Sequence, residues 1–433
     1  MKRIALSMLF PTALAAQAGA DSVARPISLD DAVRLAQRNA PSAVQASGNV
    51  RVNSATVRSA YMAFIPSLSV SSGATKQGGD RFDSQGQLVP FTGSAWSYNS
   101  GLTLNLQLFD GGNRLFELRA AKANVNAAEA NETLQQYNVS LNVKQQYFAV
   151  LAAKESEAAA RAQFDQAAEQ LKTASAKVAA GAATKSDSLR AVIQVGNAQL
   201  ALLQAQNNLN IANASLTRLV ATPFVVTASP EDSAASMTLD EDSAAIAGLA
   251  LRGPAVRQAE QAFGAARANV RGSLTSYLPT ITLNYNRGGN GLDSRFGWGD
   301  NRYAYSETMR FNLQFPFFNQ GTREETIVRS RVAEDNAEAQ LRDMRFLAQQ
   351  QLTQYLSAFR TAEQRAQIQL ASVAAAEEDL RVQQRRYQLG ASTFLDVLNS
   401  QVTLNQARSA LIQARFDARV AKAQIETLTG RDL

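Results

Sequence analysis

Two copies of one short motif hold the side chains of this chain that could do chemistry. The motif reads Gly-x-x-Thr-x-x-Asp, and its copies are Gly181, Thr184 and Asp187, and Gly390, Thr393 and Asp396. A glycine can end a helix in the left-handed conformation, and Thr-x-x-Asp can begin the next helix as a reciprocal cap. Both aspartates are therefore predicted to cap helices at turns. In a symmetric assembly, a ring of such carboxylates would also favour the passage of cations.

The residue types needed for other chemistry are missing. The chain has no histidine and no cysteine, which removes imidazole metal ligands, Ser/His catalytic pairs, disulfides and a lipid-anchored cysteine. It also has no phosphate-binding loop with a Gly-Lys step and no nucleophile elbow. The formal net charge of +6 is spread along the chain, so nucleic acid is not predicted as a partner. We predict no catalytic residues, no metal and no cofactor.

The chain is internally duplicated. Four pairs of residues mark the repeat: Gly181 with Gly390 and Arg114 with Arg323 at a spacing of 209 residues, and Pro41 with Pro254 and Pro66 with Pro279 at 213. The difference of four residues falls between Pro66 and Arg114, where a loop can absorb it. A duplicated chain predicts a duplicated architecture.

These marks divide the chain into four parts. The charged start, apolar middle and small-residue exit of residues 1–20 predict a secretory signal peptide. A first repeat, 21–220, and a second, 243–433, flank a linker at 221–242 that is rich in Pro, Thr, Ser and Asp. Each repeat is predicted to begin with a helix. The further elements are β-hairpins 66–109 and 279–316, long helices 113–180 and 322–389, tip turns near 181 and 390, and return helices 184–220 and 393–429.

Four runs of the sequence alternate apolar and polar residues, as half-buried strands do. They lie at 67–71, 101–108, 280–286 and 309–315, and glycine-rich stretches around 73–95 and 287–302 are predicted as loops. We predict that their polar faces line a wet lumen, with Thr103, Asn105, Gln107, Arg310, Asn312 and Gln314. Aromatic residues near the strand ends suit a membrane-interface girdle, namely Trp96, Tyr98, Trp298, Tyr303 and Tyr305. The alternative is a soluble sheet that packs on the helices.

Four strands cannot form a closed barrel in a membrane, because about eight is the smallest known transmembrane barrel and open edges are not tolerated in lipid. A membrane-spanning chain of this kind must therefore oligomerise. Two copies would supply eight strands and three copies twelve. Twelve is the better prediction for a duct wider than an ion, because about eight strands leave an interior that side chains fill.

The helical regions are too long for a globular domain. Residues 113–180 and 322–389 contain neither proline nor glycine, and each would run roughly 100 Å at 1.5 Å rise per residue. Leu352, Tyr355, Leu356 and Phe359 follow the i, i+3, i+4, i+7 spacing of a packed helix face. The sequence thus predicts an α+β membrane protein with four strands and long coiled-coil helices. A secreted coiled-coil scaffold without a pore is the alternative from another class.

Several stretches resemble the TolC-like outer-membrane efflux proteins. The strongest resemblance lies at the C-terminal side, in 386–390, 395–401, Leu404 and 407–408. Further matching stretches lie at 28–32, 39–41, 65–68 and 108–112. The resemblance covers nearly all of the chain after the signal peptide, in the order of the family and with its internal repeat.

The resemblance implies a homotrimer in the outer membrane of a Gram-negative cell. Its twelve-stranded β-barrel would contact outer-membrane lipid and continue into a periplasmic α-helical barrel. A periplasmic adaptor protein and an inner-membrane pump of the RND or ABC type would be the partners, and the duct itself would be passive. The motifs do not distinguish small-molecule efflux from type I protein secretion. We place efflux first.

The resemblance also assigns roles at the second tip turn. Asp396 matches the first of two aspartates that ring the periplasmic constriction of the family's prototype, whereas the second position is Asn399 here. Asp187 and Tyr387 match residues that help to hold the prototype's helices closed. The arginine that the prototype carries two residues after the glycine is Ser392 in this chain. The latch of the prototype therefore lacks one of its residues here, and Asp187, Tyr387 and Ser392 are the latch candidates.

Overall fold

The computed structural model describes residues 24–76, 78–90, 96–230, 243–293 and 303–431. The predicted signal peptide, Trp298 and linker residues 231–242 lie outside these ranges. The described chain forms two compact units, and each draws on both sequence repeats. The first unit comprises the described parts of Met1–Ala36, Val143–Ser236 and Ile368–Phe416, and the second those of Gln37–Asn142, Met237–Gln367 and Asp417–Leu433.

The helices follow the two repeats. In chain order they are α1 (Leu29–Asn39), α2 (Pro41–Met62), α3 (Asn113–Ala179), α4 (Lys185–Val220), α5 (Ser243–Ala250), α6 (Pro254–Ser273), α7 (Thr322–Gln388) and α8 (Phe394–Thr429). Helices α3 and α7 have 67 residues each. Each ends one residue before the end of its predicted span, because a glycine turn follows. Of the helices described, none is both long and apolar enough to cross a membrane.

The strands form three sheets among the described residues. In chain order they are β1 (Arg25–Ile27), β2 (Ser67–Lys76), β3 (Asp80–Phe82), β4 (Leu88–Pro90), β5 (Trp96–Phe109), β6 (Val226–Ala228), β7 (Thr280–Asp293) and β8 (Tyr303–Gln314). The main sheet has the order β2-β5-β7-β8 and is antiparallel throughout. Strands β3 and β4 form a hairpin, and β1 pairs with β6 in parallel.

The strands of the main sheet extend into stretches that the sequence analysis predicted as loops. Strand β7 continues through its glycines to Asp293, and β2 continues to Lys76. The reason at Gly289 is cross-strand packing, because a Cβ atom there would lie 2.7 Å from Cε1 of Tyr305 on β8. Glycine therefore makes room for an aromatic ring of the neighbouring strand. The glycine-rich composition of this stretch, taken alone, had predicted a loop.

Alanine and a few larger side chains fill the cores of both units. In the first unit, Leu380 of α7 packs with Val397 and Leu404 of α8. In the second unit, Phe359 of α7 packs with Ile425 of α8 and with Ile246 of α5. These helices approach closely because many of the buried positions carry alanine, so the packing is dense without a thick apolar core.

Tyr147 of α3 joins the β1–β6 pair to the helix in the first unit. Its side chain is fully buried, and its hydroxyl donates to the Ile27 carbonyl at 2.9 Å and accepts from the Ser229 backbone N–H at 2.9 Å. Two turns further along, Lys154 Nζ donates to the Ala228 carbonyl at 2.6 Å, and burial lowers the pKa of this lysine. These two side chains hold the start of the linker region against α3.

We expect Tyr147→Phe to lower the free energy of unfolding by about 2 kcal/mol, because it leaves a buried carbonyl and a buried N–H without their partner. Thermal unfolding of the protein in mild detergent measures the loss, and hydrogen exchange of the β1 and β6 amides locates it. Tyr61→Phe, at an exposed tyrosine of α2, is the control and should change neither quantity. Equal stability of the two variants would show that the Tyr147 hydroxyl stabilises nothing.

Candidate functional site

Both glycine turns have the same backbone geometry. Gly181 and Gly390 lie in the left-handed region, with φ of 70° and 76°. Each closes a Schellman turn, in which the next residue donates its N–H to a carbonyl five residues back: Ala182 to Lys177 and Ala391 to Arg386, both at 2.8 Å. The repeat in the sequence thus produces two helix ends with the same hydrogen-bond pattern.

Both aspartates of the motif are engaged as helix caps. The Asp187 carboxylate accepts from the Thr184 backbone N–H at 3.1 Å, while the Thr184 hydroxyl accepts from the Asp187 N–H at 3.3 Å. Thr393 and Asp396 repeat this arrangement at 2.8 Å and 3.3 Å. The carboxylates therefore start α4 and α8, and both remain partly accessible to solvent.

The second turn also keeps its carboxylate charged. Hydrogen bonds from the Thr393 backbone N–H and hydroxyl, together with the Arg386 guanidinium, hold the pKa of Asp396 below its ordinary value. Asn399 lies on the same helix, one turn further on, and its side chain is exposed. The two residues share one face of α8 at i and i+3. This face carries one negative charge, at Asp396, and the uncharged amide of Asn399.

Tyr387 lies at the centre of a small cluster at the end of α7. Its ring packs against the Phe394 ring, with centroids 5.6 Å apart, and the Lys177 ammonium lies 4.2 Å from its centroid. Lys177 Nζ also donates to the Tyr387 carbonyl at 2.5 Å and to the Gln388 carbonyl at 3.3 Å. A cation on the last turn of α3 thereby caps the negative end of α7 and ties the two helices together.

The Tyr387 hydroxyl has no hydrogen-bond partner within the described residues, although it is buried. It lies beside a cavity of about 280 Å³ that Gln170 and Phe394 also line. Burial, and then the charge of Asp187, raise the pKa of Tyr387, so the hydroxyl stays protonated at neutral pH. Asp187 thus acts on Tyr387 through its charge, and no hydrogen bond between them is present.

Ser392 is hydrogen-bonded to the preceding helix, α7. Its hydroxyl donates to the Gln383 carbonyl at 3.3 Å. Of the three residues that the sequence analysis named as a latch, Asp187 caps α4, Ser392 closes the turn and Tyr387 packs under Lys177. The structure brings them into one unit and does not join them in one hydrogen-bond network within the described residues.

The polar side chains of the main sheet lie on one face. The strand register places Ser67, Asn105, Asn284 and Arg310 in one row across all four strands. Neighbouring rows contain Thr103 with Asn286, and Gln107 with Thr282 and Asn312, while Gln314 pairs with Thr280. The opposite face holds the leucines of β5 with Phe311 and Leu313 of β8. In these rows the sheet therefore has one apolar face and one polar face whose charged residue is Arg310.

Four residues that complete these two regions were not named from the sequence. Lys177 and Phe394 touch Tyr387, and Ser67 and Asn284 complete the polar row. Lys177 had a readable signal, since a cation in the last turn of a helix often caps a carbonyl end. That signal predicts that Lys177 caps the end of its own helix, α3, and not the end of α7. In the described part of the chain, no group of three or more candidate ligands could hold a metal ion.

One family model matches most of the chain. The model describes the outer membrane efflux proteins, and it matches residues 32–222 and 246–431. The two matched stretches correspond to the two sequence repeats and leave out the linker.

Individual relatives extend this match. The pyoverdine export outer membrane protein OpmQ of Pseudomonas aeruginosa is 26% identical over 414 residues, which cover 90% of this chain and 82% of that protein. The toluene efflux pump outer membrane protein TtgC of Pseudomonas putida is 28% identical over 222 residues, 50% of this chain and 44% of that protein. Among solved structures, the outer membrane protein VceC of Vibrio cholerae has a TM-score of 0.73 at 18% identity and covers 93% of this chain and 96% of its own. At that identity the likeness shows a shared fold.

Proposed function

The chain belongs to the outer membrane efflux protein family, and from this premise we propose that three copies form a duct that discharges small toxic compounds. The protein is an outer-membrane efflux channel with a periplasmic helical extension, and it is not an enzyme. Members of the family are trimeric channels of tripartite pumps. The interpretations as a secreted scaffold or as a soluble sheet are therefore set aside.

The observation that carries the trimer is the main sheet with its two open edges. In the described residues, β2 and β8 each pair on one side only, and the sheet has a polar and an apolar face. Such a sheet is stable in lipid only when copies close it into a barrel. Three copies would place the row of Ser67, Asn105, Asn284 and Arg310 around a wet lumen.

Asp396 and Asn399 are the proposed lining of the periplasmic aperture. Three copies of Asp396 would form a ring of carboxylates that favours cations and narrows the opening. Asn399 would add an uncharged ring one helical turn away. The lowered pKa of Asp396 in each chain supports this role, because it offsets part of the repulsion by which neighbouring carboxylates raise one another's pKa.

Small toxic compounds are the proposed cargo, delivered by an inner-membrane pump of the RND or ABC type through a periplasmic adaptor. Two relatives carry the names of small molecules that they export, toluene and pyoverdine. Deletion of the gene should lower the resistance of the cell to such compounds. Loss of a secreted protein with unchanged resistance would instead indicate a type I secretion duct.

The native mass of the protein tests the trimer directly. We expect outer-membrane fractions extracted in mild detergent to yield a particle of about three chain masses once bound detergent is subtracted. Extraction in buffer without detergent is the control and should release none of it. A monomer or dimer, or release without detergent, would contradict the proposal.

A further inference from the structure

We propose that β8 of one copy pairs antiparallel with β2 of the next copy in one defined register, in which Leu313 lies opposite Ser72 of the partner subunit. The inference deepens the proposed function and rests on its closed ring of copies. It concerns which residues of the two copies meet where the sheet closes.

The first step is that the strand register obeys the sequence repeat. Ser67 of β2 pairs with Asn105 of β5. A shift by the repeat spacings, 213 residues for the first strand and 209 for the second, converts this pair into Thr280 and Gln314. Those two residues are partners in the β7–β8 hairpin. The spacing read from prolines and arginines therefore gives the hairpin register residue by residue.

The second step applies the same spacings to the pairing between the two hairpins, and so predicts the pairing between copies. The second strand of the first hairpin, β5, pairs with the first strand of the second hairpin, β7, and Leu104 lies opposite Tyr285. The repeat equivalents of these strands are β8 and β2. In a closed ring, the second hairpin must meet the first hairpin of the next copy. The same spacings convert Leu104 and Tyr285 into Leu313 and Ser72 of the partner subunit.

The resulting seam keeps the two faces of the sheet continuous. Its pairs are Phe311 with Ala74, Leu313 with Ser72 and Phe315 with Val70 on the apolar face, and Arg310 with Thr75, Asn312 with Gly73 and Gln314 with Ser71 on the polar face, the second residue of each pair in the partner subunit. A slip by one residue would turn every side chain to the wrong face. The transferred register keeps apolar side chains on one face and polar side chains on the other. The direction of the side chains was not used to derive it.

An independent observation is the segment that follows β8. Strand β5 continues through Leu106–Phe109, where it pairs with β7, whereas the equivalent residues Phe315–Phe318 lie outside β8. Phe317 and Phe318 are 87% and 82% exposed, against 46% and 42% for their equivalents Leu108 and Phe109. The missing neighbour is the segment of β2 that carries Leu68 and Val70, which are themselves 64% and 78% exposed.

Pro316 fits the same register. Its equivalent in β5 is Gln107, which lies at the register shift between Gln107 and Phe109. A bulge is a position at which a strand tolerates the loss of a backbone N–H, and proline has none to donate. The pairing can therefore extend past Gln314 to Phe315 and resume beyond Pro316.

Cysteine cross-linking tests the register, because the natural chain has no cysteine. Two double variants, Leu313→Cys with Ser72→Cys and Gln314→Cys with Ser71→Cys, are oxidised with copper phenanthroline in outer-membrane fractions. Adjacent pairs alternate between hydrogen-bonded and non-hydrogen-bonded geometry, so one of the two has close Cβ atoms. We expect covalent dimers and trimers on denaturing gels.

Two shifted pairs are the matched controls. Leu313→Cys is combined with Val70→Cys or with Ala74→Cys, which keeps the same face and moves the register by two residues. We expect these to cross-link at least about fivefold more slowly, because diagonal neighbours lie beyond normal disulfide reach. The native mass of each variant is measured in parallel.

The outcomes separate the register from the trimer. A trimeric particle in which a shifted pair cross-links faster, or in which no pair cross-links, overturns the register and leaves the duct standing. A monomeric particle without cross-links overturns the duct itself. Fast cross-linking of the matched pairs, without fast cross-linking of the shifted pairs, supports both the register and the duct.

Discussion

Replacing Asp396 by asparagine is expected to remove most of the cation preference of the channel and its block by multivalent cations. The substitution takes one negative charge from each chain, and so three from the proposed aperture ring. Asparagine retains a side-chain oxygen that can accept the Thr393 backbone N–H, so α8 should still begin at the same residue. Reversal potentials in planar bilayers under a salt gradient measure the preference.

Asp187→Asn is the matched control for this prediction. Asp187 caps α4 with the same hydrogen-bond geometry and lies at the equivalent position of the first repeat. Asp187→Asn should therefore have the same small effect on helix capping without the change in selectivity. Equal effects of the two substitutions would show that the caps, and not a ring of Asp396, set the ion preference.

The selectivity of the natural protein should also resist mild acid. Hydrogen bonds from Thr393 hold the pKa of Asp396 below its ordinary value of 3.8, so the carboxylate remains charged from pH 7 down to about pH 5. The contribution of the charged Asp396 cap to the stability of the protein is likewise present at neutral pH. It is lost only as the pH falls through the lowered pKa. A cation preference that fades between pH 7 and pH 5 would point to another group.

Replacing Lys177 by methionine is expected to raise the open fraction of the tip by about tenfold or more. The change removes the hydrogen bonds from the ammonium to the Tyr387 and Gln388 carbonyls and its contact with the Tyr387 ring. Together these are worth about 1–3 kcal/mol at a partly buried site. Because they tie the end of α3 to the end of α7, their loss should favour separation of the two helices. Single-channel recordings measure the open fraction.

Two further variants isolate the ammonium. Lys177→Arg keeps a cation with several donors and should restore most of the closed state. Tyr387→Phe removes a buried hydroxyl that has no protein partner within the described residues, so it should change the open fraction far less than Lys177→Met. A large increase from Tyr387→Phe, with none from Lys177→Met, would assign the closure to the hydroxyl instead.

Much of the fold could be predicted from local patterns. Alternation of leucine with Thr, Asn and Gln in 101–108 identified β5 and its polar face, because side chains in a strand alternate with a period of two. The absence of proline and glycine from Asn113 onward identified α3, and the glycine after it marked where the helix ends. Composition failed at Gly288 and Gly289, since both glycines lie in β7, and Gly289 lies against the Tyr305 ring.

The sequence by itself determined the repeat, the helices, the strands, the capping motifs and the family. Each of these follows from spacings within a few residues or from one comparison of the chain with itself. Only the tertiary structure decided that Lys177 meets Tyr387, 210 residues away, and that Tyr147 bridges Ile27 and Ser229. Such contacts depend on how helices rotate and approach when their faces pack, and this rotation leaves no spacing in the sequence to read.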